Sequence, residues 1–418
     1  MKNKSLTPQI RFKGYDDEWQ QAKVRDVFTL GNGYTPSKAN PAFWTNGTIP
    51  WFRMEDIREN GRVLADSIQH VTPEAVKSSG LFPAGSIIVS TTATIGEHAL
   101  LIADSLANQR FTVFQTVNRW SWLKAKYLLY RFYGLGDWCR KNVNAGGLAA
   151  VSITDLQKYD IDFPSTAEER DSIADYFDNI DKLLVDTERE ITRLEKMKQA
   201  SLQKMFPGPG ETTPEIRFDG FTGDWKAIRL GDVLMVNRGG SPRPIESFLT
   251  NSEKGLNWVK IGDVKKGARY ITHTAEKIRP EGLSHTRQVY PGDLILSNSM
   301  SFGRPYIMKI YGCIHDGWLL IRDDKKLFDI EFLQQLLGSD NMKRQYKALA
   351  AGGVVNNLNS DLVQSALIIY PSIDEQKAIG EYFRNLDAII SAKRKKLEKL
   401  QNLKQSCLDK MFVNTTAQ

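Results

Sequence analysis

Three places in this 418-residue chain gather side chains that both donate and accept hydrogen bonds, and each place occurs twice. The first is Thr91-Thr92-Ala93-Thr94 with Gly96, matched by Asn298-Ser299-Met300-Ser301 with Gly303 and Arg304. The second is Asn108-Gln109-Arg110, matched by His315-Asp316-Gly317. The third is Asn144-Ala145-Gly146-Gly147, matched by Ala351-Gly352-Gly353 and followed by Asn356-Asn357. Arg53 and Lys260 each stand two residues after a repeated Trp. Side chains of these types read the edges of base pairs, because each edge presents a fixed pattern of donors and acceptors. The expected base-reading set is therefore Arg53, Thr91, Thr92, Thr94, Asn108, Gln109, Arg110 and Asn144 in the first half of the chain. In the second half it is Lys260, Asn298, Ser299, Ser301, Arg304, His315, Asn356 and Asn357. Arg62, Lys265, Lys266 and Arg269 are expected to contact phosphates, which adds affinity without sequence information.

Catalytic chemistry is not written in the sequence. It lacks a phosphate-cradling Gly-x-x-x-x-Gly-Lys-Ser/Thr loop, a Gly-x-Gly-x-x-Gly turn, a His-Glu-x-x-His helix and a Gly-x-Ser-x-Gly elbow. The Asn/Asp-Pro-Pro-aromatic tetrad of an amino-methyltransferase is also missing. The five His are scattered, so no metal site is expected. Cys139, Cys313 and Cys407 are too far apart in sequence for a disulfide framework and fit a reducing, cytoplasmic compartment. Asp16-Asp17 and Asp323-Asp324 have no counterpart in the other half and read as solvated carboxylates. The expectation is a binding protein that holds no cofactor of its own.

The elements that must position these loops form a tandem repeat. Pro-Gln-Ile-Arg-Phe-Lys-Gly at 8–14 returns as Pro-Glu-Ile-Arg-Phe-Asp-Gly at 214–220. A collinear series follows at offsets of 206 or 207, including Trp19/Trp225, Trp51/Trp258, Asp56/Asp263, Ser90/Ser297, Glu169/Glu375 and Met205/Met411. A period this long means duplicated domains. Ile87–Ser90 and Leu294–Ser297 each follow a Pro/Gly turn and read as buried strands that hold the loops after them. Lys124–Tyr133 and Phe328–Leu337 read as helices. The fold class is thus α+β, with two mixed α/β recognition domains and two long helices forming an antiparallel coiled coil in an internal pseudo-two-fold repeat. The boundaries are 1–166 for the first domain, 167–206 for its helix, 207–213 for a linker, 214–372 for the second domain, 373–412 for its helix and 413–418 for a tail.

The helices carry a heptad seam. In the first it is Ile173, Phe177, Ile180, Leu184, Ile191 and Leu194; in the second, Ile379, Phe383, Leu386, Ile390, Leu397 and Leu400. Residues 168–206 hold 10 Asp/Glu against 7 Lys/Arg, and residues 374–412 hold 6 against 9. Net charges of −3 and +3 on equal helices favour pairing with each other. The whole chain carries +7 from 56 Lys+Arg and 49 Asp+Glu, which suits an acidic partner. No apolar run approaches the roughly 20 residues of a membrane span, so no membrane association is expected.

Two basic domains held by a rigid helix pair suit double-stranded DNA, each domain reading half of a split, non-palindromic site. A coiled-coil scaffold that binds only proteins is the alternative, and a stand-alone methyltransferase or nuclease a third reading. At this point the residues resemble a family. Glu169–Asp181 and Glu375–Asp387, with their Ile-x-x-Tyr/Phe cores, the repeated Ile-Arg-Phe segments, the Gly-Asp-Leu-Ile-Leu-Ser strand and the Ala-Gly-Gly loops are similar to the specificity subunit of type I restriction-modification systems. The resemblance implies a non-catalytic DNA-recognition subunit whose helices dock two methyltransferase subunits, with two restriction/translocase subunits in the full complex. It implies S-adenosylmethionine, ATP and Mg on those partners, which would flip and methylate adenine. The first repeat departs from the pattern at Gly85-Ser86, where Gly-Asp is usual.

Overall fold

A computed structural model of the chain describes residues 6–143, 149–264, 267–298, 303–351 and 358–413. The chain divides into two compact units, Met1–Thr187 with Lys396–Gln418, and Glu188–Lys395. Each unit therefore holds one mixed α/β domain, the beginning of the long helix that follows it, and the end of the other long helix. Among the described residues, no helix is long and apolar enough to cross a membrane.

Unit 1 is built on a five-stranded sheet ordered Phe28–Asn32, Phe111–Thr116, Ile87–Ser90, His98–Leu101, Val63–Leu64. Ile87–Ser90 is buried along its whole length because it has neighbours on both edges and apolar cover on both faces. A three-stranded sheet (His70–Val71, Ile49–Phe52, Leu106–Ala107) lies beside it. A hairpin-like pair, Gln20–Lys23 with Asp160–Phe163, brings the two ends of the domain together. The helix Ala125–Lys141 buries Tyr127, Leu128, Phe132 and Leu135 under the main sheet.

Unit 2 repeats this plan. Its main sheet runs Met235–Arg238, Trp318–Arg322, Leu294–Ser297, Pro305–Met308, Tyr270–Ile271. The registers correspond: Ile87 faces Phe114, and Leu294 faces Ile321. The second sheet keeps the three strands of unit 1, as Glu276–Ile278, Leu256–Val259 and Gly312–Ile314, and gains Leu249–Thr250 and Arg287–Val289 at its edges. The helix Ala125–Lys141 of unit 1 is replaced by Ile330–Leu337 and Asp340–Ala351.

The long helices are Ala167–Lys204 and Ile373–Lys410, each of 38 residues and so about 57 Å at 1.5 Å per residue. Each begins with a hydroxyl that accepts from the third helical N–H: Thr166 from Glu169, and Ser372 from Glu375. Within unit 1 the helix segments run antiparallel, since Tyr176 meets Cys407 at 3.4 Å and Asp181 meets Lys404 at 2.5 Å. Within unit 2 they do likewise, through Glu190–Lys393, Glu195–Arg394, Lys198–Asp387 and Ser201–Tyr382. Of the expected seam, Ile173, Phe177, Ile180, Ile191, Ile379, Phe383, Leu386 and Ile390 are buried, while Leu184, Leu194, Leu397 and Leu400 are half-buried. Thr187 lies buried in the same row and returns its hydroxyl to the Leu183 carbonyl at 2.6 Å, which is how a polar residue sits on an apolar stripe.

Each helix joint is locked by one aromatic ring from the end of the other helix. In unit 1, Phe412 stacks on Phe177 at 5.8 Å and meets Trp19 and Tyr127. In unit 2, Phe206 stacks on Phe383 at 6.2 Å and meets Trp225 and Phe332. Burying one such ring is worth roughly 1.5–3 kcal/mol.

Candidate nucleic-acid interface

At the end of the buried central strand of each main sheet, described residues in or next to the sequence-selected loops are bonded together. In unit 1, Thr91 N–H donates to the Arg110 carbonyl at 3.0 Å, and Val151 N–H donates to the Thr91 carbonyl at 3.0 Å. In unit 2, Asn298 N–H donates to the Gly317 carbonyl at 3.0 Å, and Leu358 N–H donates to the Asn298 carbonyl at 3.1 Å. The Trp-containing strand joins through Asn108 N–H to the Phe52 carbonyl, and through His315 N–H to the Val259 carbonyl. Backbone bonds at equivalent positions thus gather the same loci in both units, though they lie far apart in sequence.

Two framework residues hold the positions after the repeated Trp. Asp56 accepts from the N–H of Arg53 at 2.6 Å and of Ile68 at 2.7 Å. Asp263 accepts from Lys260 N–H at 2.8 Å and Ala275 N–H at 3.0 Å. The turn beyond Thr91 needs left-handed backbone at Ala93 (φ 60°) and Gly96 (φ 87°). At Gly96 a Cβ would come within 2.4 Å of the Gly136 carbonyl oxygen, so this turn closes only on glycine.

In unit 1 the convergence forms a hollow of about 300 Å³ with Trp51 in its lining. Around it stand Thr35, Lys38, Arg53, Asn108, Gln109 and Arg110. The Arg53 guanidinium lies 5.6 Å from the Trp51 ring centre, and its buried Nε has no hydrogen-bond partner. Asn108 is partly spent on its own turn, since its Oδ1 accepts from Arg110 N–H at 3.0 Å. Thr35 meets Gln109, and Gln109 and Arg110 are exposed. A hollow with two arginines, two amides and an indole can take a planar ring edge and satisfy its donors and acceptors.

The corresponding place in unit 2 has other chemistry. Lys260 is paired with Glu276, and its Nζ lies 5.8 Å from the Trp258 ring. His315 accepts from Gly317 N–H at 2.9 Å, with Asp316 2.8 Å from the same ring nitrogen. Ser241 reaches the Asp316 carboxylate at 3.2 Å. Arg304 is exposed, its N–H held by Ser297 Oγ at 3.1 Å.

Several expectations need correction. Thr91 and Asn298 are buried, 7% and 3% exposed, so they fasten the loops and present no free edge. Asn298 also donates to the Asp316 carbonyl at 2.8 Å. Thr94 points back to Ser90 Oγ at 3.3 Å. Arg269, expected at a phosphate, is 9% exposed and held by Gln334, Glu331 and Asp387. Arg62 is engaged by Glu97 at 3.0 Å and by His98. Asp323 is no free carboxylate: it accepts from Phe328 N–H at 2.8 Å. Asn144, Gly146, Gly147, Lys265, Lys266, Ser299, Ser301, Gly352, Gly353, Asn356 and Asn357 lie outside the described residues. Among the described residues, no group of three or more His, Cys, Asp or Glu is placed to hold a metal ion.

One pair of residues was not singled out. Glu169, 1% exposed, grips Arg11 through Nε at 2.7 Å and a second nitrogen at 2.8 Å. Glu375 grips Arg217 in the same way at 2.6 and 2.7 Å. The hydrogen-bonded carboxylate raises each guanidinium above its ordinary pKa. The clamp explains the repeated Ile-Arg-Phe segment and the repeated helix-start Glu together; their common separation of 158 residues was the available signal.

Comparison with known proteins bears on the same two regions. A family model described as the type I restriction modification DNA specificity domain matches twice, at residues 16–196 and 222–402. The specificity subunit of the type I restriction enzyme EcoprrI from Escherichia coli is 46% identical over 162 residues, 38% of this chain and 40% of that protein. The MjaIX specificity subunit of Methanocaldococcus jannaschii is 24% identical over 261 residues, 60% of this chain and 59% of its own length. The matches thus span about half the length of these relatives. In fold, the chain is similar to the S subunit of a type I restriction-modification system from M. genitalium, with a TM-score of 0.61, 16% identity, and coverage of 98% and 100% of the two chains. The HsdS subunit from Thermoanaerobacter tengcongensis gives 0.51 at 17% identity, covering 94% of this chain and 96% of that one. With both repeats matched over most of their length, the chain belongs to the family of type I restriction-modification DNA specificity domains.

Proposed function

We propose that this chain is the DNA sequence-specificity subunit of a type I restriction-modification complex. Each unit reads one half of an asymmetric, bipartite site on double-stranded DNA. The paired helices set the spacer and dock two methyltransferase subunits, and two restriction/translocase subunits join for cleavage. The chain performs no catalysis; S-adenosylmethionine, ATP and Mg act on the partner subunits.

The observation that supports this reading is that equivalent backbone bonds present different side chains at equivalent positions. Asn108-Gln109-Arg110 with Arg53 in one unit becomes His315-Asp316-Gly317 with Lys260 in the other. A conserved mount with exchanged donors and acceptors is what two unlike half-sites require. The test is to exchange residues 214–372 for a foreign recognition domain and map methylated adenines in cells that carry the methyltransferase. One half of the methylated site changes and the other stays. A change in both halves, or no dependence of methylation on this chain, overturns the reading.

A further inference from the structure

Each unit has a cleft between the start of the strand that follows the central strand, the domain's helical layer and the end of a long helix. In unit 1 it encloses about 390 Å³ and its charged lining is balanced: Arg62, Arg131 and Arg140 against Glu97, Asp137 and Asp409. In unit 2 it encloses about 700 Å³ and is lined by Lys198, Arg269, Arg304, Lys343 and Lys347, with no acid among the described lining residues. The key exchange is at one position. Ser90 N–H donates to the Glu97 carbonyl, and Ser297 N–H to the Arg304 carbonyl, so Arg304 stands where unit 1 has Glu97.

Two of the five cations are already committed. Asp387 takes Lys198 at 2.6 Å, and Glu331 with Asp387 takes Arg269. Lys343 has only an exposed contact with Asp340 at 3.3 Å. Arg304, Lys343 and Lys347 are all exposed, and the two lysines lie four residues apart on one face of Asp340–Ala351. Three exposed cations without buried counter-charges therefore line the cleft, and one of them, Arg304, is bonded on the sheet to Ser297 at the end of the central strand.

We infer that this cleft in unit 2 is a phosphate-backbone clamp for duplex DNA, formed by Arg304, Lys343 and Lys347, and that unit 1 has no equivalent. The inference rests on the proposed function and adds to it a one-sided grip. The occupant is a phosphodiester strand because Arg304 is bonded on the sheet to Ser297, whose neighbour Asn298 is fastened to the Gly317 carbonyl at the reading end. A duplex seated there brings its backbone past Arg304. Cations of this kind fix register and supply affinity but do not select sequence.

The test is a titration of the full chain with duplexes containing the mapped site and scrambled duplexes, at several salt concentrations. In Arg304→Ala/Lys343→Ala/Lys347→Ala the slope of log K on log salt flattens by up to about 2.7, at about 0.9 per phosphate contact. Preference for the mapped site over the scrambled duplex stays at the wild-type ratio. The charge-keeping variant Arg304→Lys/Lys343→Arg/Lys347→Arg keeps the wild-type slope, and Glu97→Gln in unit 1 leaves it unchanged. An unchanged slope in the alanine variant overturns the clamp, as does a lost site preference, which would make these residues base readers. Normal DNA binding with lost methyltransferase association would assign the cleft to a protein partner and also overturn it. A wild-type chain that prefers no duplex sequence refutes the functional reading alone if the slope difference persists; a wild-type chain that binds no duplex refutes both.

Discussion

Unit 1 holds a buried ion pair, and the positions that correspond to it in unit 2 carry hydrocarbon side chains. Arg131 and Asp162, 1% and 0% exposed, face each other, and Arg131 also donates to Tyr159 Oη at 3.1 Å. Burial opposes the Arg131 charge, but the adjacent Asp162 holds the guanidinium protonated. The strand registers place Asp162 opposite Gln21 and Ile369 opposite Ala227, so Ile369 takes the place of Asp162. Leu336 lies four residues beyond Phe332, as Arg131 does beyond Tyr127, and those two rings both meet the incoming Phe. Ala366 takes the place of Tyr159, since each carbonyl accepts from the first residue of the short helix after the edge strand. His98 of unit 1 likewise becomes Pro305. The helix joints tell the opposite story: Arg11–Glu169, Tyr176–Cys407 and Lys404–Asp181 reappear as Arg217–Glu375, Tyr382–Ser201 and Lys198–Asp387. After duplication the joints were kept in chemical detail, while the buried cluster around Arg131 and Asp162 was exchanged for hydrocarbon.

This contrast can be broken most sharply at Asp162. Asp162→Ala leaves Arg131 buried without its counter-charge and lowers the stability of unit 1 by about 3–5 kcal/mol. The double change Arg131→Leu/Asp162→Ile, which copies unit 2, stays within about 2 kcal/mol of the parent or exceeds it. Chemical denaturation followed by fluorescence measures both, and a mild Asp162→Ala would show that the pair is not what closes unit 1. Next are the arginine clamps. Glu169→Gln and Glu375→Gln each cost about 1.5–3 kcal/mol in their own unit, the range for hydrogen bonds to charged groups. Clearly unequal losses would mean the joints are not equivalent.

The third contrast is with acid. Burial first, and then the Arg62 charge, push His98 down to about 3 from its ordinary 6.5. Its Nε2 lies 2.9 Å from the Leu129 carbonyl, which fits the neutral ring donating there. Unfolded, the ring takes a proton below pH 6.5; folded, it resists until about pH 3. Its contribution is thus complete above pH 6.5 and is lost as pH falls toward 3, the loss reaching about 2 kcal/mol by pH 5. Thermal melting as pH is lowered should therefore find unit 1 the more acid-sensitive, and His98→Gln should reduce that pH dependence. The smallest effect is at the exposed Glu190–Lys393 pair. Glu190→Gln changes stability by less than about 1 kcal/mol, and less still in high salt; a larger change in a melting series would give the surface pairs more weight.

Periodicity made the long helices legible, because a seven-residue apolar rhythm has few other uses. The buried strands Ile87–Ser90 and Leu294–Ser297 were legible from an apolar run behind a Pro/Gly turn. The repeat offset also carried the aromatic joints and the Arg–Glu clamps, which emerge only when two distant repeats are read as one contact. The direction each loop side chain faces was not legible. Thr91 and Asn298 have the composition of base readers, yet their hydrogen bonds turn inward, and sequence alone does not distinguish a polar residue that fastens a turn from one that leaves it. Arg269 misled for the same reason: its counter-charges come from residues 331 and 387, far along the chain.

Phe412 has a further meaning when the chain is followed from the ribosome. Its socket of Trp19, Tyr127 and Phe177 is made more than two hundred residues before the ring that fills it. The half made second has all its pieces by Lys395 and can finish folding while the half made first still waits. During synthesis the older half presents an open aromatic seat, and a message cut short after Lys395 yields a molecule with one finished half and one that never closes.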